Sequence, residues 1–176
     1  MLRPLVVASA LLCLASPAAA QSSNGLELSG GYAFLSDPQS ETEFRAGWAI
    51  GAAMTFRGWL SAVADASGSY ATVNGFASDT HLSVHAVMGG ARASAKIGRV
   101  TEFLQALAGP TRAAGSRFGV AESTTAFAVQ PGIGLDVPLG RRMAARAELD
   151  ARYIHSKPDG NEAGHQIRFV AAIVLR

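Results

Sequence analysis

Residues 165–176 read His165-Gln166-Ile167-Arg168-Phe169-Val170-Ala171-Ala172-Ile173-Val174-Leu175-Arg176. One face of this stretch carries Ile167, Phe169, Ala171, Ile173 and Leu175. The other carries Gln166, Arg168, Val170, Ala172, Val174 and Arg176. A strict two-residue period belongs to a β-strand whose faces meet different surroundings.

The same pattern recurs along the chain and gives eight candidate strands, at 25–36, 44–57, 59–70, 81–96, 100–110, 124–137, 142–155 and 165–176. In the second, Phe44, Ala46, Trp48, Ile50, Ala52, Met54 and Phe56 alternate with Arg45, Gly47, Ala49, Gly51, Ala53, Thr55 and Arg57. In the sixth, Phe127, Val129, Ile133, Leu135 and Val137 oppose Ala126, Ala128, Gln130, Gly132, Gly134 and Asp136. In the seventh, Met143, Ala145, Ala147, Leu149, Ala151 and Tyr153 oppose Arg142, Ala144, Arg146, Glu148, Asp150 and Arg152. Strands of this length exceed the globular norm and suit a tilted membrane crossing. A helix over 142–152 would place Met143 beside Arg146 and Asp150, so no apolar stripe forms. Gly30, Gly31, Gly47, Gly51, Gly132 and Gly134 would each cost a helix about 1 kcal/mol, and Pro131 about 3 kcal/mol.

The gaps alternate in length. Arg57-Gly58, Ile97-Gly98-Arg99 and Pro138-Leu139-Gly140-Arg141 are tight turns, whereas 37–43, 71–80, 111–123 and 156–164 are longer polar connections. Short and long connections in alternation wire an up-and-down membrane barrel, with short periplasmic turns and longer external loops. Two places strain this register. The apolar even positions Leu82, Val84, Ala86 and Met88 are followed on the same parity by Arg92, Ser94 and Lys96, so a bulge at Gly89-Gly90 is expected to reset the faces. Pro131 lacks a ladder donor, so a local distortion is expected there.

The front of the chain supplies an address. Met1-Leu2-Arg3-Pro4 is a short basic start, Leu5 to Leu14 an apolar run, and Ala18-Ala19-Ala20 a small-residue cleavage site. Residues 1–20 are expected to be a cleavable signal peptide and 21–176 one barrel domain. The apolar run falls short of the ~20 residues of a spanning helix. Cys13, the single cysteine, lies inside that run, so no disulfide framework or thiol chemistry is expected beyond it. With Arg3 set aside, 14 basic residues face 13 acidic ones, scattered through the segments, which argues against nucleic acid binding. A content of 49% hydrophobic residues without a further long apolar run fits a β-barrel as well as a soluble domain.

The direction of the apolar face separates these two. The apolar set includes Trp48, Phe56, Trp59, Tyr153 and Phe169, many of them toward strand ends, as in the aromatic girdles of a lipid–water interface. The opposite face is small or charged, and turning it to lipid would cost ~2–4 kcal/mol for each mid-membrane Arg. Arg45, Asp65, Asp136, Arg146, Glu148, Asp150, Arg152 and Arg168 are therefore expected in the lumen, as structural ion pairs. The expected fold is all-β, an eight-stranded antiparallel up-and-down transmembrane barrel in the bacterial outer membrane.

The chain resembles small outer-membrane β-barrels of the kind seen in the transmembrane domain of outer membrane protein A and its opacity-type relatives. The resemblance rests on Gly25-Leu26-Glu27-Leu28-Ser29-Gly30-Gly31-Tyr32, on Trp59-Leu60 through Val63-Ala64-Asp65 with Ser67-Gly68-Ser69-Tyr70, and on Gly132-Ile133-Gly134-Leu135-Asp136-Val137. It implies outer-membrane lipid and the barrel-assembly machinery as partners, and a monomer. Such barrels usually end in an aromatic residue, whereas this sequence ends Leu175-Arg176.

Three functions fit such a chain. The first is a non-enzymatic barrel with a plugged, charge-paired lumen that serves envelope integrity or surface interaction through four external loops. The second is a narrow, low-conductance pore. The third is a lipid A-modifying enzyme, since lipid A deacylases are barrels with a His base and a Ser nucleophile. Here His155 and Ser156 are adjacent, so they point to opposite faces and make a poor dyad. His81 and His85 share a face without an evident third metal donor. No catalytic, cofactor or metal site is expected, and His165 reads as a strand-edge residue.

Overall fold

The computed structural model describes residues 25–39, 42–73, 80–117, 120–155 and 164–176. The proposed signal peptide and Ser156 lie outside them. The elements are β1 (Leu26–Asp37), β2 (Thr42–Phe44), β3 (Ala46–Arg57), β4 (Leu60–Val73), β5 (Thr80–Ile97), β6 (Val100–Arg117), β7 (Val120–Pro138), β8 (Met143–His155) and β9 (Gly164–Leu175). Each pairs antiparallel with its neighbour, and β1 pairs with β9, so the sheet closes on itself. The barrel has eight staves, because β2 and β3 are one stave broken at Arg45. Leu35 pairs with Phe44 but Tyr32 with Trp48, a shift of one residue that marks a β-bulge.

Following paired residues around the barrel from His85 through Gly68, Trp48, Tyr32, Ala171, Ala147, Leu135 and Glu102 leads back to β5 at Ala95, ten residues below the start. Eight staves with that stagger tilt by about 40°, and each residue then rises about 2.5 Å along the axis. Ile50, Met54, Phe56, Val129, Ile133, Leu135, Ile167 and Ile173 all project outward and are exposed. The apolar band runs from the level of Tyr153 and Phe127 to that of Phe56 and Met143. Its height is about 25 Å, which matches the hydrocarbon belt of outer-membrane barrels. Composition and parity dictate this: Ala, Gly and Ser take many of the inner positions because a barrel of this size has little room inside. Gly98, at the tight β5–β6 turn, takes φ 62°, a conformation glycine adopts without strain.

Three expectations need correction. No bulge resets β5: its register with β4 and β6 is unbroken in number, so Val84, Ala86, Met88 and Arg92 all face inward. The connection expected over 111–123 is largely strand, as β6 and β7 continue in register to Arg117 and Val120. The distortion at Pro131 is small. Its pairing with Ala106 is kept, and the β7–β8 ladder passes from Val129–Tyr153 to Gly132–Asp150 without a shift. Pro110 does the same on the β5–β6 side, where the ladder passes from Ala86–Thr111 to Gly89–Ala108. Each proline turns its missing N–H toward one neighbour, and the other ladder holds the stave.

Candidate functional site: the barrel lumen and its outer mouth

The inner half of the lumen is packed with charge. Arg168, on β9, is fully buried and binds three carboxylates: Asp65 on β4 at 2.8 Å, Asp150 on β8 at 2.8 Å and Glu148 on β8 at 3.0 Å. Asp150 also accepts from Gln105 Nε2 at 3.1 Å, and Gln105 Oε1 accepts from Arg92 Nε and Nη2 at 3.1 and 2.8 Å. Arg92 continues to Glu27 at 3.0 Å. Nearer the periplasmic end, Arg146 grips Asp136 through two bonds of 2.7 and 2.9 Å and also contacts Glu27. Arg176 joins Glu27 at 2.8 Å and reaches Asp136. The Phe103 ring lies against two guanidiniums, 4.3 Å from Arg92 and 4.7 Å from Arg146.

The carboxylates of Glu27, Asp65, Asp136, Glu148 and Asp150 pair with the guanidiniums of Arg92, Arg146, Arg168 and Arg176, and a fifth guanidinium, that of Arg152, lies just above them. Burying an unpaired charge is costly, and a network in which each charge has close partners of opposite sign offsets that cost. Glycine makes the room. The space that a Cβ would take at Gly132 is filled by Asp150, and at Gly134 by Phe103. A void bordered by Glu27, Asp65, Arg92, Arg146 and Glu148 measures about 10 Å³, the size of one water at most.

The outer half is different. Arg152 is buried but binds neutral partners, Gln130 Oε1 at 2.9 Å and Ser67 Oγ at 3.4 Å. Above it, Leu35, Phe44 and Val84 pack together with Ala71 and Leu82. Over these opens a vestibule of about 610 Å³, bordered by Leu82, Val84 and Phe44 below and by Asp37, Ser116, Glu122, Thr124 and Gln166 around.

Seven of the eight residues expected in the lumen stand there: Asp65, Asp136, Arg146, Glu148, Asp150, Arg152 and Arg168. Arg45 does not. The bulge turns it outward, its side chain is 81% exposed, and it pairs with the half-exposed Glu43 at 2.8 Å. The same bulge turns Phe44, expected on the lipid face, into the lumen. Sequence reasoning did not single out Glu27 or Arg92, and it placed Gln105, Gln130 and Arg176 on the inward face without a part in the network. Glu27 was legible from its parity with Ser29 and Ala33, and Arg92 from the plain continuation of β5. Among the described residues no group of His, Cys, Asp and Glu is arranged to hold a metal. His155 and His165 are exposed on the outer wall, and Ser156 is outside the described residues.

Known proteins share this architecture. The family model described as "outer membrane protein beta-barrel domain" matches residues 5–171. Among curated proteins no sequence matches. Among solved structures, neisserial surface protein A superposes with a TM-score of 0.68 at 14% identity, over 85% of this chain and 94% of that one. The N-terminal barrel domain of Pseudomonas aeruginosa OprF gives 0.62 at 12% identity, over 88% and 98%. Ail, the attachment invasion locus protein of Yersinia pestis, gives 0.58 at 17% identity, over 87% and 99%. At these identities the likeness is one of fold.

Proposed function

Because this chain belongs to the outer membrane protein β-barrel domain family and resides in the bacterial outer membrane, we propose that it is a non-enzymatic barrel with a closed lumen, serving envelope integrity or contacts made at its outer face. The observation that carries this reading is the ion-pair network of five carboxylates and four guanidiniums across the inner half of the lumen. An ion crossing there would have to break several charge-assisted bonds at once, and the adjoining void is too small to hydrate it. The exposed outer rim and vestibule are the surfaces left for partners. The enzyme reading finds no support in geometry: His155 faces outward, and among the described residues no carboxylate is bonded to it.

Planar-bilayer recording of the purified protein tests the reading. A flat baseline is expected; reproducible current steps that change when Arg168 or Glu148 is replaced establish the low-conductance pore instead. Mass spectra of lipid A from cells with and without the protein are expected to be identical, and loss of an acyl chain that depends on His155 establishes an enzyme.

A further inference from the structure

All four histidines project outward at the outer end of the barrel, together with Arg45 and Arg112. His85 stands directly opposite Arg112 on the neighbouring strand, and His81 opposite Ser116. Across β7, β8 and β9, Phe127 pairs with His155 and Tyr153 with His165. With allowance for the stagger of about 1.25 residues per stave, Tyr70, His85, Arg112, Phe127, Tyr153, His155 and His165 fall within about two residues of one height. That height is the upper rim of the apolar band.

The arc over β4, β5 and β6 is the most developed part of this collar. Trp48 Nε1 donates to the Tyr70 hydroxyl at 3.3 Å, which bonds His85 Nε2 at 3.0 Å, with the two rings edge to face at 5.4 Å. His81 Nδ1 lies 3.2 Å from Thr72 Oγ1. Beside His85, Arg112 makes one bond among the described residues, from Nη2 to Ser123 Oγ at 3.1 Å. A guanidinium has five donors, so most of its capacity is unused among the described residues. Among the described residues, Glu43 is the outward-facing carboxylate at this height, and Arg45 already holds it on another arc. Asp37 and Glu122 border the vestibule.

We propose that Arg112 and His85, held by Ser123 and Tyr70, form a site for the phosphate of an outer-leaflet glycolipid. The patch lies on the lipid-facing wall, at the depth where headgroups meet acyl chains. Its donors sit above an apolar surface that takes the chains, and Trp48 and Tyr70 mark the interface. Basic side chains at a membrane rim recognise anionic headgroups in this way. A soluble anion would have no reason to select the lipid-facing side, so the lipid is the favoured source of the phosphate.

The test uses the full-length protein in neutral detergent, with bound lipid counted by native mass spectrometry. Bisphosphorylated lipid A, fully dephosphorylated lipid A and inorganic phosphate are the probes. Arg112→Gln with His85→Gln is expected to weaken bisphosphorylated lipid A binding about tenfold, and dephosphorylated lipid A is expected to bind the unaltered protein as weakly. His155→Gln with His165→Gln on the opposite arc is expected to change affinity less than about twofold, and Arg112→Lys to fall between. Heat-modifiable gel migration verifies that each variant is folded, and either single replacement serves if the double does not fold. Unchanged affinity in the Arg112 and His85 variants overturns the site. Equal loss in the His155 and His165 variant overturns it in favour of a diffuse collar. Displacement of the lipid by millimolar inorganic phosphate overturns the lipid as its ligand.

Discussion

The lumen has two halves built on different terms. Toward the periplasmic end Arg146, Asp136, Glu27, Arg92, Arg176, Glu148, Asp150, Asp65 and Arg168 interlock as ion pairs with almost no space between them. Toward the outside Leu35, Phe44 and Val84 close the lumen without charge and then give way to an open vestibule. Both halves are buried, yet only the lower depends on every member being present. Removing an apolar side chain from the upper half leaves a small cavity beside water, whereas removing one charge below leaves its partners buried and unpaired.

The largest effect is expected from Arg168→Met. It leaves Asp65, Glu148 and Asp150 without their shared cation, and should destabilise by about 3–5 kcal/mol in urea unfolding from lipid vesicles. A smaller cost than that of Val84→Ala, the matching truncation above, would break the contrast. Next, arginine placed at two positions of β7 should separate lipid from water. Ile133→Arg, midway between Phe127 and Leu139 on the outer wall, should cost about 2–4 kcal/mol. Thr124→Arg, at the vestibule, should stay within about 0.5 kcal/mol in the same assay.

Gly132→Ala should cost about 1–3 kcal/mol, because its methyl group would displace the Asp150 carboxylate from Arg168 and Gln105. The smallest change is Thr111→Val. The Thr111 hydroxyl is buried without a partner among the described residues, so its removal should be neutral or stabilising by up to about 1 kcal/mol.

Strand parity made the charged lumen legible in the sequence. Arg146, Glu148, Asp150 and Arg152 recur at every second position of β8, and Arg168 and Asp136 share the inward parity of β9 and β7. The errors arose where parity was read through a glycine or missed a bulge. Gly89-Gly90 was expected to swap the faces of β5, but glycine permits a bulge without requiring one, and Val84 and Met88 fill the lumen on the same parity as Arg92. At Arg45 the reverse happened: one extra residue, unmarked by any glycine, moved Arg45 out and Phe44 in. The reach of β6 and β7 to Arg117 and Val120 was hidden because Ser, Thr and Ala there carry no alternation. Partner choice within the network depends on three-dimensional closure, so the link from Glu27 to Arg92 and Arg176 lay beyond pattern reading.

A double-mutant cycle on Arg146 and Asp136 addresses the ion-paired lumen most directly. Removing both leaves Glu27 still paired with Arg92 and Arg176. Arg146→Met and Asp136→Leu should each cost about 3–5 kcal/mol, and the double replacement should cost less than their sum by at least about 2 kcal/mol. Strictly additive losses would contradict the account, because they would mean that neither charge is held in place by the other.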